Sequence, residues 1–79
     1  MPQFHFDIHT TFIARDKEGV DFPDLEAAKV CATAGALSLV IEEMRRDRRF
    51  SPNHSIKITN AAGQVLHTAR YGDCVAVRV

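Results

Sequence analysis

Residues 25–49 read LEAAKVCATAGALSLVIEEMRRDRR, an unbroken run without proline and rich in Ala, Leu and Glu. Such residues lose little side-chain freedom on coiling, so the run predicts one long helix. Phe22-Pro23-Asp24 marks its start. The proline favours an extended Phe22, and the Asp24 carboxylate is placed to cap the first-turn amides. Arg45, Arg46, Arg48 and Arg49 gather at the other end, where cations suit the negative pole of a helix, and Ser51-Pro52-Asn53 stops it. The helix is placed at 24–49.

At about 100° per residue, Leu25, Ala28, Ala32, Gly35, Ala36 and Leu39 fall on one face. Val30, Ala34, Leu37, Ile41 and Met44 fall on the roughly opposite face, with polar residues only in the strips between. A helix lying on one sheet needs a single apolar face. This one has two.

Outward from the helix the period changes to two. Phe4, Phe6 and Ile8 alternate with His5, Asp7 and His9, a half-buried strand over 3–9 with its aromatics inward. Phe12 and Ile13 open a short strand over 12–15, and Asp16-Lys17-Glu18-Gly19 has the Asp and Gly of a type I turn. Ile56-Lys57-Ile58-Thr59 and Val65-Leu66-His67-Thr68 flank a similar turn, Asn60-Ala61-Ala62-Gly63, and predict a hairpin over 55–69. The tail alternates Cys74, Ala76 and Arg78 with Val75, Val77 and Val79 and reads as a last strand over 73–79. The sum is one α+β domain over 1–79, β-β-α-β-β with an extra C-terminal strand. A small antiparallel sheet packs on one long central helix.

Seventy-nine residues allow only a thin core, since a chain this short buries about 60–65% of the surface it exposes unfolded. Domains of this size often recruit a disulfide, a metal or a second copy. Ten basic and ten acidic side chains cancel, so no net field draws in nucleic acid or an acidic membrane. The longest uncharged stretch, Val30 to Ile41, falls well short of the ~20 residues that span a bilayer. No basic segment leads into an apolar core at the N-terminus, so the expected address is the cytoplasm.

Several motifs recur together: Phe4-x-Phe6-Asp7, Asp16-x-Glu18-Gly19-Val20, Pro23-Asp24-Leu25-x-Ala27-Ala28, Asn60-x-x-Gly63-x-Val65-Leu66 and Tyr71-x-Asp73-Cys74-Val75. In that order they resemble the domain-of-unknown-function family numbered 6894, small stand-alone bacterial proteins. The resemblance covers nearly the whole chain and rests on turn, cap and core positions. It implies a small independent domain and supplies no activity, cofactor or catalytic residue. Thr10-Thr11 stands where the family pattern is Gly-rich, and Val30 to Ile41 is less charged than the family's helices.

The candidate chemistry is sparse. His5, Asp7 and His9 share a strand face, but successive side chains stand nearly 7 Å apart, too wide for one zinc ion with ligands at about 2 Å. Cys31 lies among alanines and Cys74 near the tail; both are expected to be reduced and to pack as small apolar fillers. Asp16, Glu18, Asp21, Asp24 and Glu26 lack calcium-loop spacing and read as turn and cap residues. Glu42 and Glu43 are adjacent on the helix and point apart, so they form no acid–base pair. No phosphate-cradling or nucleophile motif exists among the four single glycines. No catalytic, metal or cofactor-binding residue is therefore assigned, and no cofactor, known small-molecule ligand or membrane partner is expected.

Two function classes remain ahead of an enzyme. The leading expectation is a non-enzymatic interaction or regulatory domain that forms a homodimer through Val30, Ala34, Leu37, Ile41 and Met44. The alternative is a nucleic-acid-associated or antitoxin-like module that uses the basic helix end Arg45, Arg46, Arg48 and Arg49. Asp47 interrupts that cluster, and no aromatic side chain stands among the arginines to stack on bases.

Overall fold

The computed structural model describes residues 2–75. In chain order the elements are β1 (Gln3–His9), β2 (Ile13–Ala14), β3 (Val20–Asp21), α1 (Leu25–Asp47), β4 (Ser55–Thr59), β5 (Val65–Arg70) and α2 (Tyr71–Cys74). The sheet runs β2-β1-β4-β5 and is antiparallel throughout, with β3 pairing the other end of the β1 edge that β2 uses. One helix lies on one sheet face, which makes the molecule 38 × 32 × 16 Å. The architecture is the α+β class expected from the sequence.

The registers explain the two faces. Phe6 stands opposite Ile58 and Ile8 opposite Ile56, while Ile56 also faces Ala69. These apolar residues meet the helix, which contributes Ala28, Ala32, Ala36 and Val40 at every fourth position. The alternate residues, Asp7 opposite Lys57 and His5 opposite Thr59, point to the other side of the sheet. Alanine methyls let the helix approach the sheet closely, and a Cβ added at Gly35 would lie 3.4 Å from Ile56 Cδ1. Tyr71 and Ile58 are the largest fully buried side chains.

Asp24 caps α1, its Oδ1 accepting from the Ala27 amide at 2.9 Å. The helix stops when Arg48 turns left-handed, φ 62°, and its amide donates to Met44 O at 2.9 Å. The hairpin turn closes with the Gly63 amide on Asn60 O at 2.9 Å, and glycine is required there by a φ of 83°. Asn60 Oδ1 also accepts from the Ala62 and Gln64 amides.

Two features differ from the sequence expectation. The strand placed at 73–79 begins instead as a helical turn, Tyr71–Cys74; residues 76–79 of that expectation lie outside the described residues. The Tyr71 amide donates to His54 O at 2.8 Å and the Gly72 amide to Pro52 O at 3.0 Å. These bonds hold the chain against the 51–54 loop after β5 ends, and a Cβ at Gly72 would come within 2.9 Å of Pro52 Cβ. The second difference is β3, which local pattern does not mark. It forms because the Asp16 side chain bridges the gap between the two short strands on β1. Asp16 Oδ2 accepts from the Phe6 amide at 3.2 Å, where a neighbouring strand would otherwise do so, and Oδ1 accepts from the Glu18 and Gly19 amides. Asp7 Oδ1 receives the Asp16 amide at 3.0 Å, and a His5 Nδ1 proton reaches Asp16 O at 2.8 Å.

Burial works against the charged Asp16 carboxylate, but the amides of Gly19, Phe6 and Glu18 and the nearby His5 ring outweigh it and hold the carboxyl below its ordinary 3.8. A carboxyl more acidic folded than unfolded adds stability that is fully present above the unfolded value and is lost as pH falls through the folded one. Asp16→Ala is expected to cost about 1–3 kcal/mol at neutral pH, the range for unsatisfied amides and lost charge-assisted bonds. The variant should also show a shallower loss of stability below about pH 4 than the parent. Urea denaturation across pH measures both effects.

Candidate functional site

The five residues proposed from sequence as a partner surface fall together on the outward face of α1. Val30 is 72% exposed, Leu37 37%, Ile41 52% and Met44 44%, and Ala34 between them is also exposed. Their spacing is four, three, four, three. That is the strict heptad seam of a coiled coil, a narrower stripe than a helix needs to lie on a sheet. A shallow groove along it is lined by Val30, Ala34 and Leu37, with Glu26, Lys29 and Thr33 at its rim. Lys29 Nζ reaches Glu26 Oε1 at 3.3 Å.

The arginines lie at the end of this stripe, all exposed. Arg46 Nε donates to Asp47 Oδ2 at 3.2 Å, and Arg48 sits in the left-handed stop. His5 and Asp7 are spent on the Asp16 loop, with Arg15 Nη1 3.7 Å from Asp7 Oδ2. Among the described residues no group of three His, Cys, Asp or Glu side chains could hold a metal. Cys31 is exposed rather than packed, because it lies at the flank of the outward stripe and not beneath the alanine face. Cys74 is half-buried, and burial, offset in part by a hydrogen bond with Thr33, pushes its thiol up.

A second constellation was not found from sequence. Where α1 ends over the sheet, Glu43 Oε2 meets His54 Nδ1 at 3.0 Å and Oε1 accepts from the Ser51 amide at 3.1 Å. His54 packs edge-on against the Tyr71 ring, centroids 5.8 Å apart. The Tyr71 hydroxyl is buried and has no hydrogen-bond partner. Burial, then the charges of Glu43 and Glu42, raise the phenol above its ordinary value. These side chains line a cleft of about 390 Å³ together with Ile8, Leu39 and Arg46. No sequence signal marked it: Glu43 meets a histidine eleven positions on, a distance no motif encodes.

Fold and surfaces together define a two-layer α+β module with an exposed helix seam and a cleft at the end of that helix. The chain belongs to a family described as a domain of unknown function (DUF6894), whose model matches residues 3–72. Among curated proteins and among solved structures, nothing matches the chain. No helix among the described residues is long and apolar enough to cross a membrane.

Glu43 ties the helix end to the 51–54 loop on which α2 rests. Glu43→Ala should therefore destabilise the fold by about 1–3 kcal/mol through the stranded Ser51 amide and the lost His54 contact. Chemical denaturation at neutral pH, read by circular dichroism, checks this.

Proposed function

We propose that this protein is a non-enzymatic interaction module of the cytoplasm that works as a homodimer, two α1 helices packing antiparallel through their outward faces. The observation that carries the reading is the exposed heptad seam Val30-Ala34-Leu37-Ile41-Met44. A two-fold axis beside Leu37 sets each Leu37 against the other, Ala34 against the partner's Ile41, and Val30 against the partner's Met44. Ala34 then leaves room for the partner's Ile41, and the seam spacing suits knobs-into-holes packing. Charge supports the same direction. Antiparallel packing brings Glu26 toward the partner's Arg48 and Lys29 toward the partner's Asp47, and it sets each helix's positive end beside a negative one.

Fully burying a large aliphatic side chain is worth about 1.5–3 kcal/mol. Covering the exposed parts of Val30, Leu37, Ile41 and Met44 on two chains is then substantial beside the roughly 5–15 kcal/mol stability of a typical domain. The alternative reading, nucleic acid on Arg45, Arg46, Arg48 and Arg49, draws less support. Arg46 is turned onto Asp47, and no aromatic side chain stands by the cluster to stack on bases.

Sedimentation over a wide concentration range tests the proposal. The wild-type chain should pass from monomer to dimer, and Leu37→Glu should remain monomeric with its fold intact, because two carboxylates would meet on the axis. A wild type that stays monomeric at high concentration would sink the reading. A gel shift with generic duplex or single-stranded probes that is lost in Arg45→Ala and Arg48→Ala would replace it with the nucleic-acid alternative.

A further inference from the structure

The cleft at the end of α1 has polar groups that the fold leaves unused. Glu43 is occupied on both oxygens, by His54 and the Ser51 amide, so its part is to hold the imidazole in place. Three other groups are unspent. Tyr71 stands in the wall of the cleft, and its buried hydroxyl has no partner among the described residues. Glu42, one turn before Arg46, makes no ion pair among the described residues. Arg46 uses Nε on Asp47 and keeps both terminal nitrogens available. Glu42 and Arg46 stand four residues apart on the same helix edge, yet they do not pair with each other. Both line the same opening.

A buried hydroxyl without a partner is rare and costly, so a donor that reached it from the cleft would be held favourably. The negative charges of Glu42 and Glu43 are felt at Tyr71. A group that donates hydrogen bonds and carries positive charge therefore suits the space between the phenol oxygen and Glu42, which describes an ammonium. The guanidinium of Arg46, one turn further, suits a carboxylate in a forked pair. Ile8 and Leu39, both half-buried against the core, supply an apolar wall beside them. A volume of about 390 Å³ lies at the small end of ligand pockets and admits one compact molecule.

We propose that this cleft binds a free α-amino acid with an aliphatic side chain, its ammonium on Tyr71 and Glu42, its carboxylate on Arg46, and its side chain on Ile8 and Leu39. This goes beyond the dimer reading and does not depend on it. The seam residues do not line the cleft, so a monomeric chain would still bind.

Calorimetric titration with L-valine, L-leucine and L-isoleucine tests the site, with isocaproate and isoamylamine as analogues of leucine lacking the amine or the carboxylate. At least one amino acid should saturate at a single site, and each leucine analogue should bind weaker than leucine by about tenfold, the scale of one charge-assisted pair. Tyr71→Phe should leave the unliganded fold as stable as before or more so, since its hydroxyl has no partner, while amino-acid affinity falls by about two- to tenfold. Arg46→Gln should abolish the preference for leucine over isoamylamine. Leu37→Glu should bind like the parent, which separates this site from the dimer seam. No saturable binding of any of the three amino acids would overturn the proposal. So would isoamylamine binding as tightly as leucine to the wild-type chain, or a Tyr71→Phe variant of unchanged affinity.

Discussion

Three alanines set the distance between the helix and the sheet. Ala28, Ala32 and Ala36 recur every fourth residue, are all but completely buried, and present only methyl groups to Ile56, Ile58 and Ala69. Close approach gives many dispersion contacts over little area, which is how a helix lined with alanine holds to the sheet. The cost appears elsewhere. With alanine on the inner face, most of the large aliphatic surface of α1 lies on the outer one, at Val30, Leu37, Ile41 and Met44. Exchanging the two faces would force those side chains into a gap sized for methyls, and overpacking of that kind is itself destabilising. The alanine contact thus selects the buried face and leaves the other in water.

Two carboxylates complete what the regular elements leave open. β1 needs a neighbour along its whole length on the outer edge, but the chain supplies only two residue pairs at each end. Asp16 covers the middle by accepting the Phe6 amide, and it closes the turn that returns the chain to β3. Glu43 plays the corresponding part at the end of α1, where the Ser51 amide would otherwise have no partner. In both places a side chain substitutes for missing secondary structure, since a polar backbone group left unpaired near the core is costly.

Much of the fold was legible because it is written in local patterns. Alternation gave β1, the Asn60 to Gly63 turn gave the hairpin, and Asp24 with the proline-free run gave α1, which begins and ends within two residues of expectation. β3 was not legible, because two residues carry no period and the feature that creates it is a carboxylate four residues upstream. Residues 73–75 were misread for a related reason. Alternating valines suggest a strand, but Tyr71 and Gly72 are tied to His54 and Pro52 by tertiary hydrogen bonds that override the pattern. The outward stripe could be named from helical angle alone, whereas Cys31 was judged by its alanine neighbours in sequence instead of by its angle, and its exposure followed from the angle. The Glu43–His54–Tyr71 group unites three distant segments, and nothing in their spacing marks it.

The last turns of α1 serve both surfaces at once. Ile41, Met44 and Arg45 face outward while Glu42, Glu43 and Arg46 line the cleft, so one rigid stretch of backbone sets the geometry of each. The Arg48 stop fixes where that stretch ends. A left-handed residue other than glycine costs roughly 1–2 kcal/mol, and glycine is the usual choice at a helix terminus. Among the described residues, no hydrogen bond or ion pair of the Arg48 side chain offsets that cost within the chain. The proposed antiparallel partner would supply a reason. It would bring Glu26, from the first turn of the other helix, toward the Arg48 guanidinium, and the substitution to glycine that would relax the backbone would remove that contact.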